Sequence, residues 1–154
     1  MGAGFREGFG ATKGAQKPND KRRIFTPVQY SGTVKVNGEE RDVSRRVYQR
    51  NDINFDYIDV DTGETNLQRM LKGYAPYGRD GKPIELHHIL QKEVGPVVEI
   101  HETTHKEYKT ILHRHRGSGE SFRNDKVLDS QYRNFKRLYW KWRAQIYMEE
   151  HSNE

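Results

Sequence analysis

Pro83-Ile84-Glu85-Leu86-His87-His88-Ile89-Leu90 opens the stretch that decides the fold, and Pro96-Val97-Val98-Glu99-Ile100 follows it across a short connection. The first run alternates through Ile84, Glu85 and Leu86 and reads as a strand over Pro83 to Ile89. The second reads as its partner over Pro96 to Ile100, with Gln91 to Gly95 as the turn. Thr104 and Glu107 fit a Thr-x-x-Glu capping box, which predicts a helix from His105 to His113. Five of the seven histidines fall here: His87, His88, His101, His105 and His113. Neighbouring side chains on a strand point to opposite faces, so His87 and His88 share a site only where the chain bends or the strand ends. There one imidazole can bind a metal ion while its neighbour takes a proton from water.

The spacing limits that idea. On one straight helix His105 and His113 stand about 12 Å apart along the axis at ~1.5 Å per residue. A single ion does not bridge that distance. Either the helix starts after His105, or only one of the two is a ligand and the other holds a substrate group or supports the site from behind. His101 and His105 have i, i+4 spacing, but the capping box argues against a helix between them.

Working outward, Leu128 to Met148 carries Tyr132, Phe135, Tyr139, Trp142 and Ile146 at alternating steps of three and four, the seam of an amphipathic helix. Arg133, Arg137 and Lys141 form an i, i+4 stripe beside it. The seam is core packing; the stripe is a candidate for phosphate contacts. From Arg114 to Arg143 there are nine Lys or Arg against three Asp or Glu, more than the chain's whole excess of +5. With a pI near 9.4 this favours a polyanionic partner, of which nucleic acid best suits basic residues interleaved with aromatics. A solvated helix face is the plain alternative.

Before the histidine stretch, Thr33-Val34-Lys35-Val36, Asn37-Gly38 and Arg41-Asp42-Val43 predict a hairpin, giving two short strands between Ile24 and Val47. Ser44-Arg45-Arg46-Val47-Tyr48-Gln49-Arg50 is dense in arginine, whose planar fork suits phosphate; Arg45 and Arg46 are candidates, as is Arg79 further on. Pairing with Asp52 or Asp56 is the alternative for any one of them. Asn51 to Gly63 is turn-rich and acidic but lacks the spacing of a calcium loop. Thr65 to Lys72 predicts a short helix capped by Thr65 or Asn66, with Leu67, Met70 and Leu71 facing in. Residues 1–23 hold five of the 14 glycines and little to bury, and read as a flexible leader from a larger parent chain. Residues 24–154 read as one domain.

Only 32% of residues are apolar, so the core is small and leans on nine tyrosines and two tryptophans. The absence of cysteine excludes disulfides and thiolate metal sites, leaving His, Asp, Glu and Asn as ligands. No stretch approaches the roughly 18 apolar residues of a membrane span, and no membrane partner is expected.

The run Pro83 to Lys92, with the later Thr-x-His-Lys and Leu112-His113, resembles the LHH group of the HNH/endonuclease VII superfamily, toxin nuclease tips of bacterial polymorphic secretion systems. Glu85-Leu86-His87-His88 also resembles the core of nuclease colicins. The likeness extends through Val43 to Arg50, Thr65 to Met70 and Tyr139 to Ala144. It implies an α+β fold with a ββα-metal (His-Me finger) core at residues 83–115, additional helices and a basic C-terminal helix. It implies His88 as general base, His87 as metal ligand, and His113, with His105, as ligands from the helix. Glu85 matches a glutamate that orients a phosphate-binding arginine. The colicin-type His-x-x-x-His on the helix is missing, with Lys109 where its first histidine would sit. The implied cofactor is one divalent ion: Mg, Mn, Zn or Ni. The implied substrate is DNA, with RNA as the alternative, and the implied partner is an acidic immunity protein. The domain is expected to be a monomer, secreted within a larger toxin and active in the target cell's cytoplasm. The competing readings are a nucleic-acid-binding module with a structural metal and a metal-free interaction domain.

Overall fold

The computed structural model describes residues 24–104 and 122–152. They form a mixed α+β fold of two small sheets crossed by one long helix. In chain order these are β1 (Phe25–Tyr30), β2 (Thr33–Val36), β3 (Glu39–Asp42), β4 (Arg45–Arg50), α1 (Asn66–Leu71), β5 (Glu85–His88), β6 (Val97–Ile100) and α2 (Lys126–Glu150). The main sheet has the order β1-β4-β6-β5, and β2-β3 form a separate hairpin.

That hairpin turns at Asn37 and Gly38, with φ of 55° and 80°, the left-handed pair that Asn-Gly supplies at low cost. The two strands expected between Ile24 and Val47 are in fact four over residues 25–50, because β1 carries no alternation of polarity and arginines mask that of β4. Pro27 is tolerated because β1 is an edge strand and pairs only with β4. In β4 the alternation is present but disguised, since Arg45 and Val47 are buried while Arg46 is exposed. β4 joins β6 in parallel, Val47 opposite Val97 and Tyr48 opposite Val98.

α1 has the predicted cap: Thr65 accepts from the Gln68 amide and the Gln68 side chain returns to the Thr65 amide. Leu71, expected to face in, is 38% exposed, and Asn66 is buried instead. Its side chain bonds the Asn54 and Tyr77 carbonyls and the Tyr77 amide, tying the acidic loop to the strand approach. Asp59 in that loop accepts from the Asp61 amide and the Thr62 hydroxyl, a turn built from its own carboxylate.

α2 is capped by Asp125, which accepts from the Val127 and Leu128 amides. Tyr132, Phe135 and Tyr139 are fully buried, as predicted. Further along, burial shifts from Trp142 and Ile146 to Trp140, Arg143 and Ala144. A repeat of 3.5 residues drifts around a straight helix of ~3.6 residues per turn, so the buried face moves off the seam. Tyr30 packs edge-on against Phe135 and Trp142, and Val47, Val97, Leu86 and Met70 complete the core. The helix predicted from His105 has already begun at residues 102–104. The rest of the predicted span, with His105 and His113, lies outside the described residues, as does Gly117-Ser118-Gly119.

Candidate active site

The histidine stretch folds as the predicted hairpin. Glu85 stands opposite Ile100, Leu86 opposite Glu99, His87 opposite Val98 and His88 opposite Val97. The strand does not bend at the two histidines, so alternation divides them. Leu86 and His88 face α2 and are buried, while Glu85 and His87 are half-buried on the other side. On that second side Tyr48, Val98 and His87 fall in one row across β4, β6 and β5. With strands ~4.8 Å apart, the first and last members of the row sit about 10 Å from each other. Arg46 projects on the same side and is exposed.

Behind the sheet, His88 enters a closed network. Its ring lies against Tyr132, with centroids 4.2 Å apart, and edge-on to Phe122 at 4.7 Å. His88 Nε2 is 2.7 Å from Glu93 Oε1. Arg45 donates to both oxygens of Glu93, at 2.7 and 2.8 Å, and Gln131 Nε2 donates to Oε2 at 2.7 Å. Arg41 Nε in turn donates to Gln131 Oε1 at 2.5 Å. The Arg45 guanidinium stacks 3.9 Å over the Phe135 ring. Burial, the largest influence on Glu93, pushes its carboxyl up, but hydrogen bonds from His88, Arg45 and Gln131 and the Arg45 charge outweigh it and hold it at about 2. Burial also dominates His88 and lowers its pKa against the pull of Glu93, so the ring is neutral at pH 7.

A second buried carboxylate anchors the same hairpin from β6. Glu99, fully buried, accepts from Arg143 at 2.6 and 2.9 Å, from the Tyr139 hydroxyl at 2.5 Å and from the Arg50 amide at 2.8 Å. It binds β6 to β4 and to α2 at once. Neither Glu93 nor Glu99 was singled out in the sequence. For Glu99 a signal existed: a glutamate in an apolar strand, facing an arginine in an amphipathic helix. Glu93 has no such mark.

The arginine candidates separate. Arg45 is a correction: at 4% exposure, with its fork spent on Glu93, it is a core ion pair and not a surface phosphate ligand. The polar pattern of β4 concealed which of its two adjacent arginines points inward. Arg79 is 76% exposed at its side chain and 3.6 Å from Asp52, which Arg50 also holds through two bonds of 2.9 Å. The Arg50 hydrogen bond is the main reason the Asp52 carboxyl lies below its usual range. Arg133, Arg137 and Lys141 are all exposed, on the side of α2 turned away from the sheet.

Glu85 and His87 offer two donors on one side of the hairpin. Among the described residues no three His, Asp or Glu side chains come together to hold a metal ion. The ligands implied at His105 and His113 lie outside the described residues, so the donors seen here do not by themselves fit an ion.

A hairpin whose first strand ends in Leu-His-His and whose second leads into a helix is the strand pair of a ββα-metal domain, the fold of HNH superfamily nucleases, enzymes that hydrolyse nucleic acid and generally use a divalent metal. The model of the LHH family, described as a nuclease of the HNH/ENDO VII superfamily with conserved LHH, matches residues 65–146, more than half of the chain. The chain belongs to that family. The match runs from the α1 cap into α2 and includes Leu86-His87-His88, Glu93 and Glu99. No solved structure matches the chain.

Proposed function

We propose that this nuclease is a metal-dependent DNA endonuclease that serves as an antibacterial toxin module and is neutralised by an acidic immunity protein. The observation that carries the reading is the Leu86-His87-His88 motif at the end of β5, inside the family match, with Glu85 and His87 on the side of the hairpin away from α2. In this reading the phosphodiester lies across the end of β5, where the strand stops at His88 and a group can approach His87 on one side and His88 on the other. His87, with His113 and His105, would hold the metal, and His88 would take the proton of the attacking water. A divalent ion supplies Lewis acidity to the phosphoryl oxygens and the leaving oxygen when bound. Arg46 and Arg79 are exposed cations available to phosphate. The proposed products carry 5′-phosphate and 3′-hydroxyl ends.

The test is cleavage by the purified protein of plasmid DNA and of total RNA side by side, with Mg²⁺, Mn²⁺, Zn²⁺ or Ni²⁺ and with EDTA. Nicking of the plasmid that EDTA abolishes is the expected result. His88→Ala is expected to lower nicking by about 10²-fold or more while DNA binding persists, the range a positioned general base contributes. Preferential cleavage of the RNA would assign the toxin to RNA instead. The burial of His88 against Tyr132 and Phe122 favours a second reading, in which the ring only packs. Parental nicking by a folded His88→Ala protein establishes that one.

A further inference from the structure

Glu93 has no role in the reaction as drawn so far, yet, like Glu99, it is a buried carboxylate with both oxygens fully engaged. Its side chain is 0% exposed and that of Arg45 1%. A carboxylate has about four lone-pair positions. All are taken: Oε1 by His88 and Arg45, Oε2 by Arg45 and Gln131. Such an oxygen pair accepts only, with no proton of its own to give.

The consequence falls on the histidine. At 2.7 Å from an acceptor-only oxygen, His88 Nε2 must be the donor and must carry the hydrogen. The contact from Arg45 Nη1 to the same nitrogen, at 3.5 Å, joins two donors and is no hydrogen bond. A neutral ring with hydrogen on Nε2 has its lone pair on Nδ1. The ring plane is fixed as well, by Tyr132 on one side and Phe122 at the edge.

We propose that Glu93 is a positioning residue for phosphodiester hydrolysis: it holds the His88 ring in the Nε2–H form, so that Nδ1 is the nitrogen that accepts the proton from water. The inference rests on His88 being the base. In the step, water gives its proton to Nδ1, and its oxygen forms the new bond to phosphorus. The bond from phosphorus to the 3′-oxygen breaks, and that oxygen takes a proton from solvent. The imidazolium, stabilised through Nε2–H by the Glu93 carboxylate, then returns its extra proton to solvent. Arg45 and Gln131 hold Glu93 still through this cycle, so β4 and α2 both contribute to the aim of a ring on β5.

Imidazole ¹⁵N NMR of the unmodified protein at pH 7.5 reads the tautomer directly and needs no activity. Hydrogen on Nε2 and a bare Nδ1 at His88 are expected, and the reverse assignment overturns the proposal. In kinetics, Glu93→Gln is expected to lower kcat by about 10²-fold with KM within about twofold, at the low end for a positioned base. Adding it to His88→Ala should slow that variant no further. Where the uncompensated Arg45 unfolds Glu93→Gln, the pair Arg45→Met with Glu93→Gln removes both charges and makes the same comparison. A folded Glu93 variant cleaving at the parental rate, beside an inactive His88→Ala, overturns the positioning role and leaves the base standing. A folded His88→Ala protein cleaving at the parental rate overturns both.

Discussion

Glu93 and His88 tie the stability of this protein to pH in the same direction. The Glu93 carboxyl is held at about 2 in the fold against 4.5 ordinarily. A depressed carboxyl stabilises the fold above its unfolded pKa and loses that contribution as pH falls through the folded one. The gap corresponds to on the order of 3 kcal/mol at ~1.4 kcal/mol per unit. His88 is also depressed below 6.5. Its proton is taken up more readily by the unfolded chain, so it too costs stability as pH drops. Urea midpoints should therefore decline in two stages, the first beginning below pH 6.5 and the second below 4.5. The histidine stage should be missing in His88→Gln. An unchanged midpoint from pH 7 down to 2 would show that the network contributes nothing to folding.

At the scale of elements, α1 offers the simplest check. Thr65→Ala removes one half of the capping box and should cost about 1 kcal/mol by chemical denaturation, with nuclease activity unchanged. This helix, the Asn37-Gly38 hairpin, the histidine hairpin and the long C-terminal helix were legible because each carries local chemistry: a cap, a left-handed turn pair, an alternation, a seam. β1 and β4 were not, because their order comes from neighbours distant in the chain. Nothing local marks Arg45 as the buried arginine and Arg46 as the exposed one. The choice follows from Phe135 and Glu93, which lie 90 and 48 positions away in the chain. The same holds for the site. The Leu-His-His motif was visible as residue types, but that β5 stays straight and sends its two rings to different sides is a property of its pairing with β6. Tyr132 and Glu93 then complete what the motif begins.

On the scale of the whole molecule, the position of the basic stripe matters most. Arg133, Arg137 and Lys141 face outward from α2, while Glu85 and His87 face outward from the sheet on its far side. A helix ~10 Å across and a sheet-to-helix spacing of similar size put about 20 Å between the two surfaces. We therefore propose that the stripe contacts nucleic acid only at a distance along the strand from the bond being cut. Neutralising all three with glutamine should weaken binding of a long duplex and reduce the slope of log K against log salt by about 2–3. A duplex of ~10 base pairs, about 34 Å long, should show little change. Equal losses on both lengths would place the stripe at the cleavage surface.

The parallel pairing of β4 with β6 has an effect on how the enzyme comes into being. Val47 and Tyr48 meet Val97 and Val98 across some fifty intervening residues, and only two residues on each strand form the join. Closing such a loop costs roughly 3–4 kcal/mol of chain entropy, more than so short a join returns. What clamps it is α2, whose rings reach Tyr30 on one half of the sheet and Leu86 on the other. The Arg45–Glu93 pair and the Glu99 bond to the Arg50 amide also tie the two halves, and with α2 across them the four strands are expected to hold as one sheet. A chain cut before Lys126 is therefore expected to lack both the assembled four-stranded sheet and nuclease activity, which circular dichroism and a nicking assay of the truncated protein check.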